Sequence, residues 1–225
     1  MSSRQLQASI RRMHHNFSII PGFVVFEGID GSGTSTQLQR LAQRLLPAQI
    51  QHRIDAEPTK GPIGRLIRTA LSGELTLHPH TVAHLFAADR NEHVQGKAGI
   101  IETCSQGKLV ISDRYIFSSL AYQGLTCGPE LPGLLNAAFP LPELLFFFSL
   151  PAETGMERMK NRSSLEIYEK LDFQQQVAAA YEQVLSEFSA SKMRLIQIDA
   201  SRDMDSISEQ IWQETSKICA RFTGS

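Results

Sequence analysis

Three short stretches combine glycines, hydroxyls and charges in spacings that suit phosphate chemistry. The first is Gly28-Ile29-Asp30-Gly31-Ser32-Gly33-Thr34-Ser35-Thr36. Its glycines permit a tight turn in which backbone N–H groups converge, and a helix opening at Thr34 adds its own N-terminal amides. Such a nest attracts anions, and the natural anion is a nucleotide phosphate. The spacing follows the phosphate-loop pattern G-x-x-x-x-G-[K]-[ST], with Gly28 and Gly33 as its glycines and Ser35 where a Mg²⁺-binding hydroxyl belongs. Thr34 stands in the lysine position. The bland alternative is a glycine-rich turn that binds nothing. The preceding strand and the hydroxyl run Thr34, Ser35, Thr36 argue against it. The second stretch, Glu57-Pro58-Thr59-Lys60-Gly61-Pro62, is a loop rich in chain breakers. The third, Asp113-Arg114-Tyr115, puts charge at the end of an apolar run, and charges rarely end a buried strand without a partner.

Elements on either side must position these stretches. Apolar, β-branched and aromatic runs predict five strands: Phe23–Phe26, Ile50–Ala56, Lys108–Ser112, Leu144–Leu150 and Met193–Ile198. Helical spacing appears between them. Leu38, Leu41, Ala42, Leu45 and Leu46 form one stripe, and Ile63, Leu66, Ile67, Ala70 and Leu71 a second. One long helix is predicted from about His80 to Cys104, another from Ser118, and others over 152–159 and 172–188. Ile207, Ile211, Thr215, Ile218 and Phe222 line the last. Between Gly124 and Gly133 only glycine and proline punctuation is evident. Strands alternating with helices mean an α/β fold: a five-stranded parallel sheet with helices on both faces. Ligands of such sheets collect at the carboxyl ends of the strands, where all three stretches fall.

Bulk properties narrow the class. A chain of 225 residues suits one α/β domain, expected over 21–225. A net charge of −1 creates no long-range field for nucleic acid or anionic membrane. There is no basic stripe with interleaved aromatics, so neither partner is expected. Cys104, Cys127 and Cys219 are odd in number and lack metal or redox spacing, which reads as reduced thiols in a cytoplasmic protein. The run Leu144–Phe148 is too short to span a bilayer. Residues 1–20 carry Arg4, Arg11 and Arg12 without an apolar signal core, and are expected to form a flexible extension.

Taken together, Phe26-Glu-Gly-Ile-Asp-Gly-Ser-Gly33, Glu57-Pro-Thr-Lys-Gly-Pro-Ile-Gly64, Leu85-Phe-Ala-Ala-Asp-Arg90 and Val110-Ile-Ser-Asp-Arg-Tyr115, continuing to Gln123-Gly124, resemble the thymidylate kinases of the P-loop NTPase-type nucleoside-monophosphate kinase group. The resemblance runs from about Phe23 to the C-terminus. It implies ATP- and Mg²⁺-dependent phosphoryl transfer to dTMP, a homodimer, and a lid over approximately 158–171. It implies ATP contacts from Gly28, Ile29, Asp30, Gly31, Ser32, Gly33, Thr34, Ser35 and Thr36. Asp30 would meet the sugar hydroxyl or acceptor phosphate, Arg114 would grip phosphate between donor and acceptor, and Ser35 and Asp113 would hold Mg²⁺. Phe86 would stack on thymine, with Arg90, Gln123, Ser119 and the Glu57 loop on the same substrate. Phe86 alone is apolar at helical spacing, so simple core is the lesser alternative to base stacking.

Three positions depart from the family pattern. Thr34 replaces lysine, Ala56 precedes Glu57 where relatives usually carry arginine, and Ile167 occupies an arginine position in the lid. Other cations are candidates to substitute: Lys60, Arg158, Lys160, Arg162 and Lys170. Of these, Arg158 and Arg162 are the ones assigned to catalysis. The other readings are a catalytically impaired nucleotide-binding regulator, or a kinase for a different nucleotide or deoxynucleoside.

Overall fold

The apolar run around Phe23 extends further than its core suggests. In the computed structural model, which describes residues 17–160, 168 and 170–222, strand β1 covers Ile19–Gly28. Phe23, Val24, Val25 and Phe26 are wholly buried, as a strand covered on both faces requires. The strand opens at Ile19, inside the stretch expected as an extension; the residues before 17 lie outside the described ones.

The other strands are β2 (His52–Ala56), β3 (Leu109–Asp113), β4 (Leu141–Ser149) and β5 (Arg194–Asp199). They form one sheet in the order β2-β3-β1-β4-β5, and every pairing is parallel. Register aligns Phe26 with Asp113 and Ala56 with Asp113. The carboxyl ends of β1, β2 and β3 therefore finish level, and the loops carrying Gly28, Glu57 and Arg114 emerge together.

Helices α1 (Thr34–Leu45), α2 (Pro62–Leu71) and α3 (Pro79–Gln95) follow β1 and β2. Next come α4 (Ile100–Ser105), α5 (Ile116–Cys127) and α6 (Glu130–Asn136). The chain ends with α7 (Ala152–Met159), α8 (Leu171–Glu187) and α9 (Met204–Cys219). Leu38, Leu41 and Leu45 are buried on the inner face of α1. Leu46, expected on that stripe, caps the helix and is 67% exposed.

Two helical expectations are corrected. The single helix from His80 to Cys104 is two helices, because the chain breaks at Gly96–Gly99. A Cβ at Gly96 would lie 2.4 Å from the Glu92 carbonyl oxygen, and Ala98 takes a positive φ of 56°. The stretch read as punctuation contains α6, with Pro129 as N-cap and Pro132 in its first turn. Proline there lacks only an N–H that a first turn leaves unpaired anyway. The lid segment falls largely outside the described residues, and Arg162 with it. Among the described residues no helix is long and apolar enough to cross a membrane.

Candidate active site

The turn after β1 is shaped by its glycines. Gly31 and Gly33 have φ of 78° and 91°, a region that strains residues bearing a Cβ. A Cβ on Gly31 would also lie 2.3 Å from the Gly155 carbonyl oxygen of α7, whereas nothing approaches within 4 Å of one on Gly33. The loop is thus pressed against α7 on one side and open on the other. Gly33 provides no side-chain cap to α1, so the first-turn amides are left for a ligand.

The turn after β3 is held differently. Arg114 takes φ 73°, and its amide donates to the Phe26 carbonyl at 2.8 Å. Tyr115 supplies no side-chain cap to α5. The buried carboxylate of Glu27, on β1, accepts from the amides of Tyr115 at 2.7 Å and Ser118 at 3.2 Å instead. The Tyr181 hydroxyl donates to the same carboxylate at 2.8 Å. Burial raises the pKa of Glu27 to about 7, against the opposing pull of Arg114 and these hydrogen bonds. The Arg114 guanidinium reaches across to the first loop. It pairs with Asp30 Oδ1, donates to the Gly28 carbonyl at 3.0 Å, and lies over the Tyr122 ring. Asp30 is further fixed by Gln174 of α8, whose Nε2 donates to Oδ2 at 2.7 Å and whose Oε1 accepts from the Asp30 amide at 3.2 Å.

Ser35 Oγ donates to Asp113 Oδ2. Asp113 Oδ1 and Ser32 Oγ are buried with no partner among the described residues. A buried carboxylate oxygen without a partner is costly in an ordinary fold and suited to a cation. No cluster of three or more His, Cys, Asp or Glu among the described residues could hold a metal by itself. Mg²⁺ bound with a nucleotide takes one or two protein oxygens and completes its shell with phosphate oxygens and water. Ser35 and Asp113 therefore fit the ion.

On the far side lie Glu57, Arg90, Ser119 and Gln123, all at most 5% exposed. Arg90 donates to Glu57 Oε2 from Nε at 2.9 Å and from Nη2 at 2.6 Å. It also donates to Ser119 Oγ at 3.0 Å and to Asn136 Oδ1. Phe86 is half-buried and presents to the same space.

One cavity of about 600 Å³ joins these parts. Ile29, Asp30, Gly31, Ser32, Gly33, Thr34, Ser35 and Thr36 line it, with Glu57, Phe86, Arg90, Asp113, Arg114, Ser119, Gln123 and Arg158. Gly28 lies beneath, its carbonyl taken by Arg114. Of the other candidate cations, Lys160 pairs with Glu157 on the surface, and Lys60 and Lys170 are exposed and absent from the lining. Arg68 and Arg202 line the cavity, although nothing in the sequence singled them out. Glu27 was also missed, yet it is a charge ending a buried strand, the same signal that marked Asp113. Gln174 carries no comparable signal in the sequence, being one of three consecutive glutamines, although it lies on the buried helix face with Val177, Tyr181 and Leu185.

Comparison with known proteins agrees with this geometry. The family model "Thymidylate kinase" matches residues 26–211. A Treponema pallidum protein described as "Putative thymidylate kinase" is 41% identical over 197 residues, covering 86% of this chain and 94% of the relative. A Leptospira interrogans protein described as "Thymidylate kinase" is 34% identical over 194 residues, covering 84% of this chain and 91% of the relative. With the phosphate loop, the strand-end arginine and the buried polar wall in one cavity, this likeness along most of the chain has a single reading: the protein belongs to the thymidylate kinase family, phosphotransferases of the nucleoside-monophosphate kinase type.

Proposed function

We propose that the protein transfers the γ-phosphoryl group of ATP to dTMP, giving dTDP for dTTP synthesis. The observation that carries this reading is the opening of the phosphate loop, the Asp113–Arg114 strand end and the Phe86–Gln123 wall into one cavity. Phosphoryl transfer needs positioning and charge neutralisation more than covalent chemistry. The loop amides at Gly31, Gly33 and Thr34 cradle the donor phosphates. Ser35 and Asp113 hold Mg²⁺, which when bound neutralises charge on the phosphates. Arg114 donates to phosphoryl oxygens between donor and acceptor, a task suited to a planar guanidinium. Asp30 keeps Arg114 aimed and takes the acceptor's sugar hydroxyl or phosphate side. Phe86 offers a flat face to the base, and Gln123 and Arg90 its polar edge, with Ser119 and Glu57 holding Arg90. Arg158 reaches the cavity in place of the absent lysine, joined by Arg202; the resemblance to the family extends the same role to Arg162, which lies outside the described residues. A cytoplasmic homodimer goes with this reading.

The test is a steady-state assay with ATP, Mg²⁺ and dTMP, beside dUMP, dCMP, dGMP and thymidine. Formation of dTDP, with no product from thymidine, is the expected result. ATP binding without transfer to any acceptor would overturn the kinase assignment.

A further inference from the structure

We infer that His93 is a positioning residue for the acceptor site: an imidazolium bridging Asp55 and Glu57, it fixes the carboxylate that orients Arg90. This rests on the acceptor reading given above, in which Arg90 meets the base.

His93 follows Arg90 by three residues on α3, so both side chains leave the helix on one side. It is 8% exposed and lies behind the cavity wall rather than in it. Nδ1 is 2.9 Å from Glu57 Oε1, and Nε2 is 2.9 Å from Asp55 Oδ2. An ionised carboxylate can only accept, so both ring nitrogens donate and the ring carries charge. The other Glu57 oxygen, Oε2, takes Arg90. Each oxygen of Glu57 thus answers to a different cation, and the carboxylate plane has one orientation. Asp55 is held in turn by Arg53, whose Nε donates at 2.8 Å and which also donates to Thr103 Oγ1 at 2.7 Å. Charges of alternating sign, Arg53, Asp55, His93, Glu57 and Arg90, therefore run from edge strand β2 to the cavity wall. Without the middle charge, a buried Glu57 loses one of two cations and Asp55 loses its inner partner. Buried carboxylates respond to such a loss by moving or by taking up a proton. Either response changes how Arg90 is held.

The arrangement has a pH signature. Burial opposes charge on His93, but the hydrogen bonds and attraction of Asp55 and Glu57 outweigh it and raise its pKa to about 9. The groups facing it are Asp55 from β2 with Arg53 behind, Glu57 from the next loop, and Arg90 from α3. Nearby on α4, burial pushes the Cys104 thiol up to about 11, beyond this window. A raised pKa means the bridging charge is complete at neutral pH and is lost as pH rises through that value.

The experiment measures kcat and both KM values from neutral pH to about 10 for wild type, His93→Gln and Asp55→Asn, with thermal stability alongside. In His93→Gln the acceptor KM should rise about tenfold at neutral pH, while donor KM and kcat stay within about twofold. Wild type should show an alkaline rise in acceptor KM that is absent from His93→Gln. Asp55→Asn keeps the bridge to Glu57, so its rise should move to lower pH. Lower thermal stability with unchanged KM values and pH profile would overturn the inference, as would equal rises in both KM values. If His93→Gln does not fold, an unshifted profile in Asp55→Asn overturns it alone. With dUMP, dCMP and dGMP run beside dTMP, preference for one of these removes the dTMP assignment, and the His93 comparison is then decided on that acceptor.

Discussion

The two ends of the cavity are built from different materials. At the proposed acceptor end the charges are already paired within the protein: Arg90, 1% exposed, is held by Glu57, Ser119 and Asn136. At the proposed donor end the loop offers backbone amides and hydroxyls, and Thr34 stands where a fixed cation is usual. On the proposed reading the positive charge there comes from Arg158 on α7 and Arg202 before α9, both in the cavity lining. Arg158 is anchored lightly, one Nη2 donating to the Ala200 carbonyl at 3.0 Å. A flat neutral base needs donors fixed in place, because its hydrogen bonds are short-ranged and directional. Polyphosphate carries enough charge to recruit cations from flexible side chains. Prearrangement is thus concentrated where the ligand's own field is weakest.

In the proposed mechanism Arg114 serves both ends, so its loss should have the largest effect. Arg114→Ala should lower kcat by about a thousandfold, since a group aimed at transition-state charge in a dry site is worth roughly 4 kcal/mol. Alanine keeps the backbone demand at φ 73°, so the change reports the side chain. Circular dichroism and thermal melting should show an intact fold. Turnover within about tenfold of wild type would remove Arg114 from the mechanism.

Mutations on either side should then separate the ends. Phe86→Ala should raise the acceptor KM by about tenfold and leave the donor KM unchanged, the loss of one aromatic face. Arg158→Ala should do the reverse, raising the donor KM by roughly fivefold, as an exposed charge-assisted contact predicts. Equal changes in both KM values for Phe86→Ala would make it a core residue, and the contrast between the ends would lose its acceptor half.

How much of this was legible beforehand follows the range of the forces involved. The strands and the phosphate loop were readable because apolar runs and glycine spacing are local signals. The break at Gly96–Gly99 was hidden by apolar residues that stay in helical phase across it, and α6 by prolines that read as breakers but sit at its start. The Arg90 network was out of reach, because Glu57, Asn136 and Ser119 meet it from three different elements. Nothing local distinguishes His93 from a surface histidine. Its two carboxylates come from the chain around β2, 38 and 36 positions away.

Glu27 acts on stability rather than on turnover and tests the frame that both ends share. Its carboxyl is raised from 4.5 to about 7 by burial, so between those values the native state holds a proton that the unfolded chain has released. Native stability therefore falls as pH rises through that window and levels off above it. The amount is about 3 kcal/mol, which corresponds to roughly 6–12 °C in a domain of this size. In Glu27→Gln the amide oxygen can still cap α5 through the Tyr115 and Ser118 amides, and its NH₂ can donate to the hydroxyls of Ser118 and Tyr181. The variant should melt close to wild type in mild acid and lose less stability on passing to neutral pH. The difference between the two proteins isolates this one carboxyl from all others that titrate. An identical pH slope in both would mean that Glu27 is ionised throughout, held so by Arg114. The positive end of the α5 cap would then be balanced by a full charge rather than a shared proton.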